Sequence, residues 1–526
     1  MRFNRWCPAA LVVGMKMTMV TPAAAQVGER GAFVLRVGGD TIAVERFTRT
    51  PAGVQGELGL TGRARVAYEA RTAADASVAS LEMRAWPLAA PDTARPLQHV
   101  TVTFAGDSAV TVVAGGRTTT VHGTRGAVAH VNPSAVMMEQ TVMRARALGG
   151  RDSAMVTVLV VGMPEPLAAR VRWLGADSAT LTVGAVEARL RVDAAGRLLG
   201  GAVPSQRLTI ERVAGARPVG AAPPDYSAPA GAPYVAEEVR VPHPGGFRLA
   251  GTLTLPNARR GRVPAVVTIT GSGQEDRDEA IPGLRGYRPF RQMADTLARR
   301  GIAVLRMDDR GYGASEGDPT QATSQDFASD IAAGIAYLRS RPEIDPDRIA
   351  LLGHSEGGII APIVAAADPR VRAVVLIAGT SRTGRRILEF QLRNPAERDT
   401  SLSAARRDSV VRAGWRIVDS MAARTPWLRF FLDYDPLPTA RRVRQPVLVL
   451  QGATDQQVTA DQAPELAAAI RAGGNRDVTL RVFPGLNHLM VPDPSGMPAG
   501  YAGLPSHNVA PQVLGTLADW LAEKLR

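Results

Sequence analysis

The spacing of apolar and polar residues changes character once along the chain. From about Gly31 to Val213, short segments alternate between the two classes, among them FVLRV, HVTVTF, SAVTVV, SAMVTVLVV, SATLTV, EARLRV and RLTIERV. Turns rich in Gly, Asp, Ser and Pro separate them. A period of two marks strands with one buried face, so this half is predicted to be mostly antiparallel β, a sandwich or a barrel-like sheet. Residues 214 to 233, AGARPVGAAPPDYSAPAGAP, carry no periodic apolar pattern and read as an extended linker.

From Tyr234 onward, continuous apolar runs replace the alternation: AVVTIT, IAVLRM, RIALL, AVVLIA, PVLVL and VTLRVF. Strands apolar on both sides belong to a parallel sheet covered by helices on both faces. Between the runs, helices are predicted over Tyr287 to Arg300 and Ser324 to Arg339; in the second, Phe327, Ile331, Ile335 and Leu338 share one face. The hairpin EVRVPHPGGFRLAGTLTL opens this sheet. An insertion from Ser381 to about Arg442, with the helical patterns RRILEFQL and SVVRAGWRIVDSMAA, separates AVVLIA from PVLVL.

A length of 526 residues suits two folded units. Ahead of them, Arg2 and Arg5 precede an apolar run and the small-residue site Ala23-Ala24-Ala25 before Gln26. That order predicts a signal peptide over residues 1–25 and a secreted or periplasmic protein. The β-rich unit then covers residues 26–213 and the second unit residues 234–526. The single cysteine, Cys7, falls in the leader, which excludes disulfides, thiolate catalysis and cysteine-ligated metal from the remainder.

Net charge is +13, and +10 without Arg2, Arg5 and Lys16. The positive charge is scattered arginine with no aromatic-interleaved stripe, so no nucleic-acid partner is expected. No run reaches the ~18 apolar residues of a membrane span. His99, His122 and His130 lack metal-ligand spacing, and no metal is predicted.

Two pentapeptides match G-x-S-x-G: GASEG, Gly313 to Gly317, and GHSEG, Gly353 to Gly357. The pattern presents a serine for chemistry where a strand turns sharply into a helix and lifts the hydroxyl above the sheet edge. Ser355 follows RIALL and precedes GGIIAPIVAAA, a strand and a helix start with small residues behind the bend. It is the predicted nucleophile. Ser315 leads into the loop GDPTQAT, so its expected role is structural.

A serine hydroxyl needs a base held in one tautomer by an acid, and on such a sheet the chain order is Ser, Asp or Glu, then His. Of the two later histidines, His488 in FPGLNHLM follows the strand VTLRVF, whereas His507 has no strand before it. His488 is the predicted base. Asp455 in QGATDQQV directly follows PVLVL, at the carboxyl end of a strand where such groups gather. Asp461 reads instead as the start of the next helix. For a developing oxyanion, the predicted donors are the backbone N–H of Glu356 and one from the loop GSGQEDRDE, Ser272 with Gly273 as the alternate.

The motifs GSGQEDRDE, DDRGYGASEG, GHSEGG, QGATDQQV and PGLNHL, in that order, resemble bacterial α/β-hydrolases of the serine-hydrolase and carboxylesterase type over residues 234 to 526. The resemblance implies the α/β-hydrolase fold, with the insertion at about 381–442 as a helical cap. It puts Ser355, Asp455 and His488 in a triad, and Ser272 and Glu356 in the oxyanion hole. Some members also carry a β-rich N-terminal domain. Many relatives have His-Gly where this chain has Thr270-Gly271, a departure that touches the second oxyanion donor. Arg310 in DDRGYG is read as fixing its loop through an ion pair.

The expected activity is hydrolysis of a small-molecule carboxylic ester through an acyl-enzyme, with no metal or organic cofactor. Trp427, Phe430, Phe431 and Tyr434 are candidates to line an acyl pocket, or simply to pack the cap on the core. A serine peptidase, a thioesterase or acyltransferase of the same fold, and a non-catalytic binding protein are the alternatives. Glu275, Asp276, Asp278 and Glu279 keep the peptidase open, because an exopeptidase must hold a substrate ammonium. Their other reading is a loop that is solvated or paired with Arg277 and Arg285.

Overall fold

A computed structural model describes residues 28–526 except 39, 62–63, 88–94, 114–116, 164, 185, 215–223, 259–260, 282–283 and 285. The expected leader, residues 1–25, lies outside the described residues.

Between Glu29 and Val213 the described strands number fifteen and form one sheet. Its edges are Arg117–His122 and Val128–His130, while the first strand, Glu29–Val37, pairs antiparallel with the last, Leu208–Val213, in the middle. A single core draws on strands from Phe33 to Ile210 and on a helix, Ala135–Ala147. The sheet therefore curls around that helix, the barrel-like form of the expectation. Ser134 caps the helix by accepting from the Met137 N–H. The fully buried Glu45 accepts from the Tyr68 hydroxyl at 2.6 Å, the Val136 N–H at 3.0 Å and the Ser134 hydroxyl. A carboxylate at a helix N-terminus is favoured by the unpaired N–H groups there.

The described end of the expected linker is tied down. Arg288 and Arg291 donate to the Asp225 carbonyl, Arg291 also to the Ser227 carbonyl at 2.8 Å, and the Arg277 guanidinium lies 4.2 Å from the Tyr226 ring centre.

The second sheet has eight strands in the spatial order Tyr234–Pro242, Arg248–Pro256, Ala303–Met307, Val263–Ile269, Ile344–His354, Ala373–Ile377, Val447–Gly452 and Val478–Phe483. The first two pair antiparallel, and the remaining six run parallel to one another. Helices cover both faces, as continuous apolar strands require. Phe290, Met293 and Leu297 of Pro289–Ala298 join Trp520 of Pro511–Lys524 on one side. Ile331, Ile335 and Leu338 of Ser324–Ser340 pack on the other. This is the α/β-hydrolase fold, preceded by the β-rich region.

Four helices, Gly384–Arg398, Ala404–Ala422, Pro426–Asp433 and Pro436–Ala440, fill the insertion between Ala373–Ile377 and Val447–Gly452. They meet the sheet domain through a small cluster that includes Ile359, Ile387, Leu428 and Phe431. Among the described residues no helix is long and apolar enough to cross a membrane.

Candidate active site

Ser355 sits between the strand Ile344–His354 and the helix Gly357–Ala367 with φ of 53°. A non-glycine residue with positive φ is strained, and the bend survives because the glycines around it allow close approach. A Cβ on Gly357 would stand 2.3 Å from the Ile269 carbonyl oxygen, and one on Gly353 would stand 2.1 Å from the Gly357 oxygen. Among the described residues six non-glycine residues have positive φ, and Glu279, Ser355, Ala378 and Met490 of these sit in the loops around this bend. Strain of this kind clusters where a site must be held in shape.

His488, in the loop after Val478–Phe483, directs Nδ1 at Asp455 Oδ2, 2.8 Å away. Asp455 is buried, and its remaining acceptor capacity is filled. Oδ1 takes the N–H groups of Gln457 and Val458 at 2.7 and 2.9 Å, and Oδ2 takes Gln451 Nε2 at 3.0 Å. The carboxylate is thus fixed in orientation before it meets the imidazole.

Ser355, His488, Ser272 and Glu356 line one cavity of about 230 Å³, together with the cap residues Ile387, Trp427 and Phe431. Among the described residues nothing accepts a hydrogen bond from the backbone N–H of Ser272 or Glu356. The Gly271 N–H, by contrast, is taken by Glu275 Oε2 at 3.1 Å and Glu279 Oε1 at 2.9 Å. The Glu356 carboxylate accepts from Ser324 Oγ at 2.6 Å and from Trp427 Nε1 at 2.7 Å, which ties the cap to the residue after the serine. Burial pushes the Glu356 carboxyl above its ordinary range against these hydrogen bonds and one from Ser272.

The other sequence candidates fall elsewhere. Ser315 Oγ donates to the Asp308 carbonyl and accepts the Ala250 N–H, both at 2.8 Å, so it fastens its loop to the sheet. His507 is bound to the Tyr501 carbonyl, and Asp461 leads the helix Gln462–Ala472 and pairs with Arg382. Arg310 grips Asp330 through two hydrogen bonds of 2.8 and 2.7 Å. Of the aromatic candidates, Trp427 and Phe431 face the cavity, while Phe430 and Tyr434 flank a separate outer depression. Among the described residues no group of three or more His, Cys, Asp or Glu is arranged to hold a metal ion.

The acidic loop divides into two parts. Asp276, Asp278 and Glu279 are buried rather than solvated, and Arg277 pairs with Asp308 and Glu238, while Asp278 pairs with Arg306. Arg285, expected as a partner, lies outside the described residues. Glu275 and Glu279 instead line the cavity. Burial, then the neighbouring Glu279 and Asp309, hold the Glu275 carboxyl well above the usual range. His354 was not singled out by sequence reasoning, although it stands beside the candidate serine and lines the same cavity.

The eight-stranded sheet, its cap and a strained serine above the strand ends define the α/β-hydrolase fold with a candidate site at its usual place. Residues 286–495 match a family model described as Hydrolase_4, serine aminopeptidase, S33. Esterase EstD of Thermotoga maritima is 30% identical over 290 residues, which cover 52% of this chain and 66% of EstD. An uncharacterized protein of Mycobacterium tuberculosis is 30% identical over 247 residues, 46% of this chain and 69% of that protein. The chain belongs to the Hydrolase_4 family of α/β hydrolases, and it spans just under two thirds of EstD's own length. A solved esterase of Pyrococcus furiosus superposes with a TM-score of 0.39 at 16% identity, over 60% of this chain and 96% of that one.

Proposed function

We propose that this hydrolase cleaves carboxylic esters through an acyl-enzyme, with Ser355 as nucleophile, His488 as base and Asp455 as its orienting acid. The observation that carries the reading is the 2.8 Å contact between His488 Nδ1 and the pre-fixed Asp455 carboxylate, on a cavity shared with the strained Ser355. With Nδ1–H given to Asp455, Nε2 is the free base that takes the serine proton as Ser355 Oγ attacks the ester carbonyl. The negative oxygen formed is met by the free N–H groups of Glu356 and Ser272. The imidazolium then protonates the departing alkoxide, and a water molecule, activated in the same way, releases the acid.

The charge balance beside the serine favours an ester over a peptide with a free amino terminus. Glu279 is already engaged by the Gly271 N–H and His354, and burial together with the neighbouring Glu279 and Asp309 favours the uncharged form of the Glu275 carboxyl. Both are therefore poorer partners for an ammonium group than free carboxylates.

A fluorophosphonate probe should label the protein and not its Ser355→Ala variant, and kcat/KM for p-nitrophenyl butyrate should far exceed that for aminoacyl p-nitroanilides. A preference for the anilides would replace the ester reading with the peptidase. We also propose that residues 1–25 direct export, so that amino-terminal sequencing of the exported protein begins at Gln26.

A further inference from the structure

His354, the second residue of the Gly353–Gly357 pentapeptide, is buried, and no step above uses it. Its Nε2 lies 3.0 Å from the backbone oxygen of His488, and its Nδ1 lies 2.8 Å from Glu279 Oε1. The two imidazole rings are 4.9 Å apart at 45°. A carbonyl oxygen only accepts, so Nε2 must carry a proton. Glu279 Oε1 already accepts the Gly271 N–H at 2.9 Å, and as a carboxylate it accepts from Nδ1 as well. Two acceptors on one ring require two N–H groups, which a neutral imidazole does not have.

We propose that His354 is an imidazolium ion paired with Glu279, and that it acts as a positioning residue. It clamps the main chain of His488 to the loop that carries Ser272. The clamp rests on the assignment of His488 as the base. It joins three separate chain segments: the loop after Val263–Ile269, the strand end at His354 and the loop after Val478–Phe483.

The groups that face the ring are consistent with a retained proton. Glu279 approaches from the Ser272 loop with Glu275 beside it, and His488 and Asp455 approach from the loops after the last two strands. Tyr287 lies near both glutamates. Burial draws the His354 pKa down, but Glu279, the His488 carbonyl and Asp455 together leave it raised.

The chain has seven histidines, so selective ¹⁵N-histidine labelling of the full-length protein resolves the question directly. In the wild type, both His354 ring nitrogens should carry protons throughout the range from about pH 5 to 8, where imidazoles ordinarily titrate. In Glu279→Gln, which keeps the shape and removes the charge, the same ring should lose a proton within that range. His354→Ala should lower kcat about 10- to 100-fold with KM changed less than about twofold, the scale expected when a reacting group is misplaced by about 1 Å.

Fluorophosphonate labelling of Ser355 reports separately on the serine-hydrolase reading, which fails if the wild type is not labelled. Should His354→Ala not fold, Glu279→Gln supplies the same comparison. A single ring N–H on wild-type His354 at pH 6 would overturn the proposal, as would a folded His354→Ala with unchanged kcat.

Discussion

Replacing Trp427 by Phe and by Ala separates two effects of one side chain. Its indole N–H donates to Glu356 at 2.7 Å, and its ring stacks on Phe431 at 5.6 Å between centres and 13° between planes. Phe keeps the stack and removes the donor. Glu356 would then keep Ser324 on Oε1 and the contact with Ser272, while Oε2 has no close partner among the described residues. Losing a hydrogen bond to a buried carboxylate costs about 1.5–3 kcal/mol. Trp427→Phe should therefore lower stability by that amount and leave acyl preference nearly as it was.

Ala, in contrast, opens the wall of the cavity. At about 30 Å³ for each water-sized group, 230 Å³ accommodates roughly eight heavy atoms. In a p-nitrophenyl ester series, each methylene that enters the pocket adds up to about 0.8 kcal/mol, roughly fourfold in kcat/KM, until the acyl chain reaches the cap. The wild-type profile should peak near hexanoyl, and Trp427→Ala should move the peak to longer chains. An unchanged chain-length profile in a folded, fluorophosphonate-reactive Trp427→Ala protein would refute the assignment of this cavity as the acyl site.

Ser355→Ala should lower kcat by up to about 10⁶ and Asp455→Ala by about 10⁴, whereas Ser315→Ala should reduce stability with little effect on kcat; steady-state kinetics and denaturant melts of the three variants check this. Burial pushes the His130 imidazole down to about 4, below the ~6.5 of an unfolded chain. The unfolded state therefore binds the extra proton first, and stability should fall as pH drops from about 6.5 to 4, a slope that His130→Phe should flatten in denaturant unfolding. A fragment from Pro224 to Arg526 keeps the Asp225, Tyr226 and Ser227 anchors and should unfold at a higher denaturant midpoint than one from Tyr234. Equal midpoints would show that those anchors contribute nothing.

The sheet domain was legible because its central strands are buried on both faces, and each of the six apolar runs became a strand of the second sheet. The β-rich half was legible only in class. The strand Asp40–Thr50 hides its period because Glu45 occupies a core position, made tolerable by Tyr68, Ser134 and the Val136 N–H. The helix Ala135–Ala147 escaped notice because its buried positions include Glu139, Gln140 and Thr141 beside Val136 and Met137, so no polar face contrasts with an apolar one.

At the candidate site, chain order and strand ends were enough to bring Ser355, Asp455 and His488 together. The roles of Glu279 and His354 were not readable. They depend on which atoms meet across 75 residues of sequence, and a local motif does not record that.

The pairing of the first strand of the β-rich region with its last has a consequence for how the chain is made. Among the described strands, consecutive ones form every other pairing in that sheet, antiparallel throughout except for the parallel pair of Val128–His130 with Ser153–Val160, which a helix connects. A ribosome therefore releases one hairpin after another, while Glu29–Val37 waits with one edge unpaired until Leu208–Val213 emerges about 170 residues later. Closing a loop of that length carries an entropic cost that local hairpins do not, so the seam is the slow and late step of assembly. Until it closes, the growing chain presents an open strand edge, the kind of surface that recruits a holding chaperone or a second nascent chain.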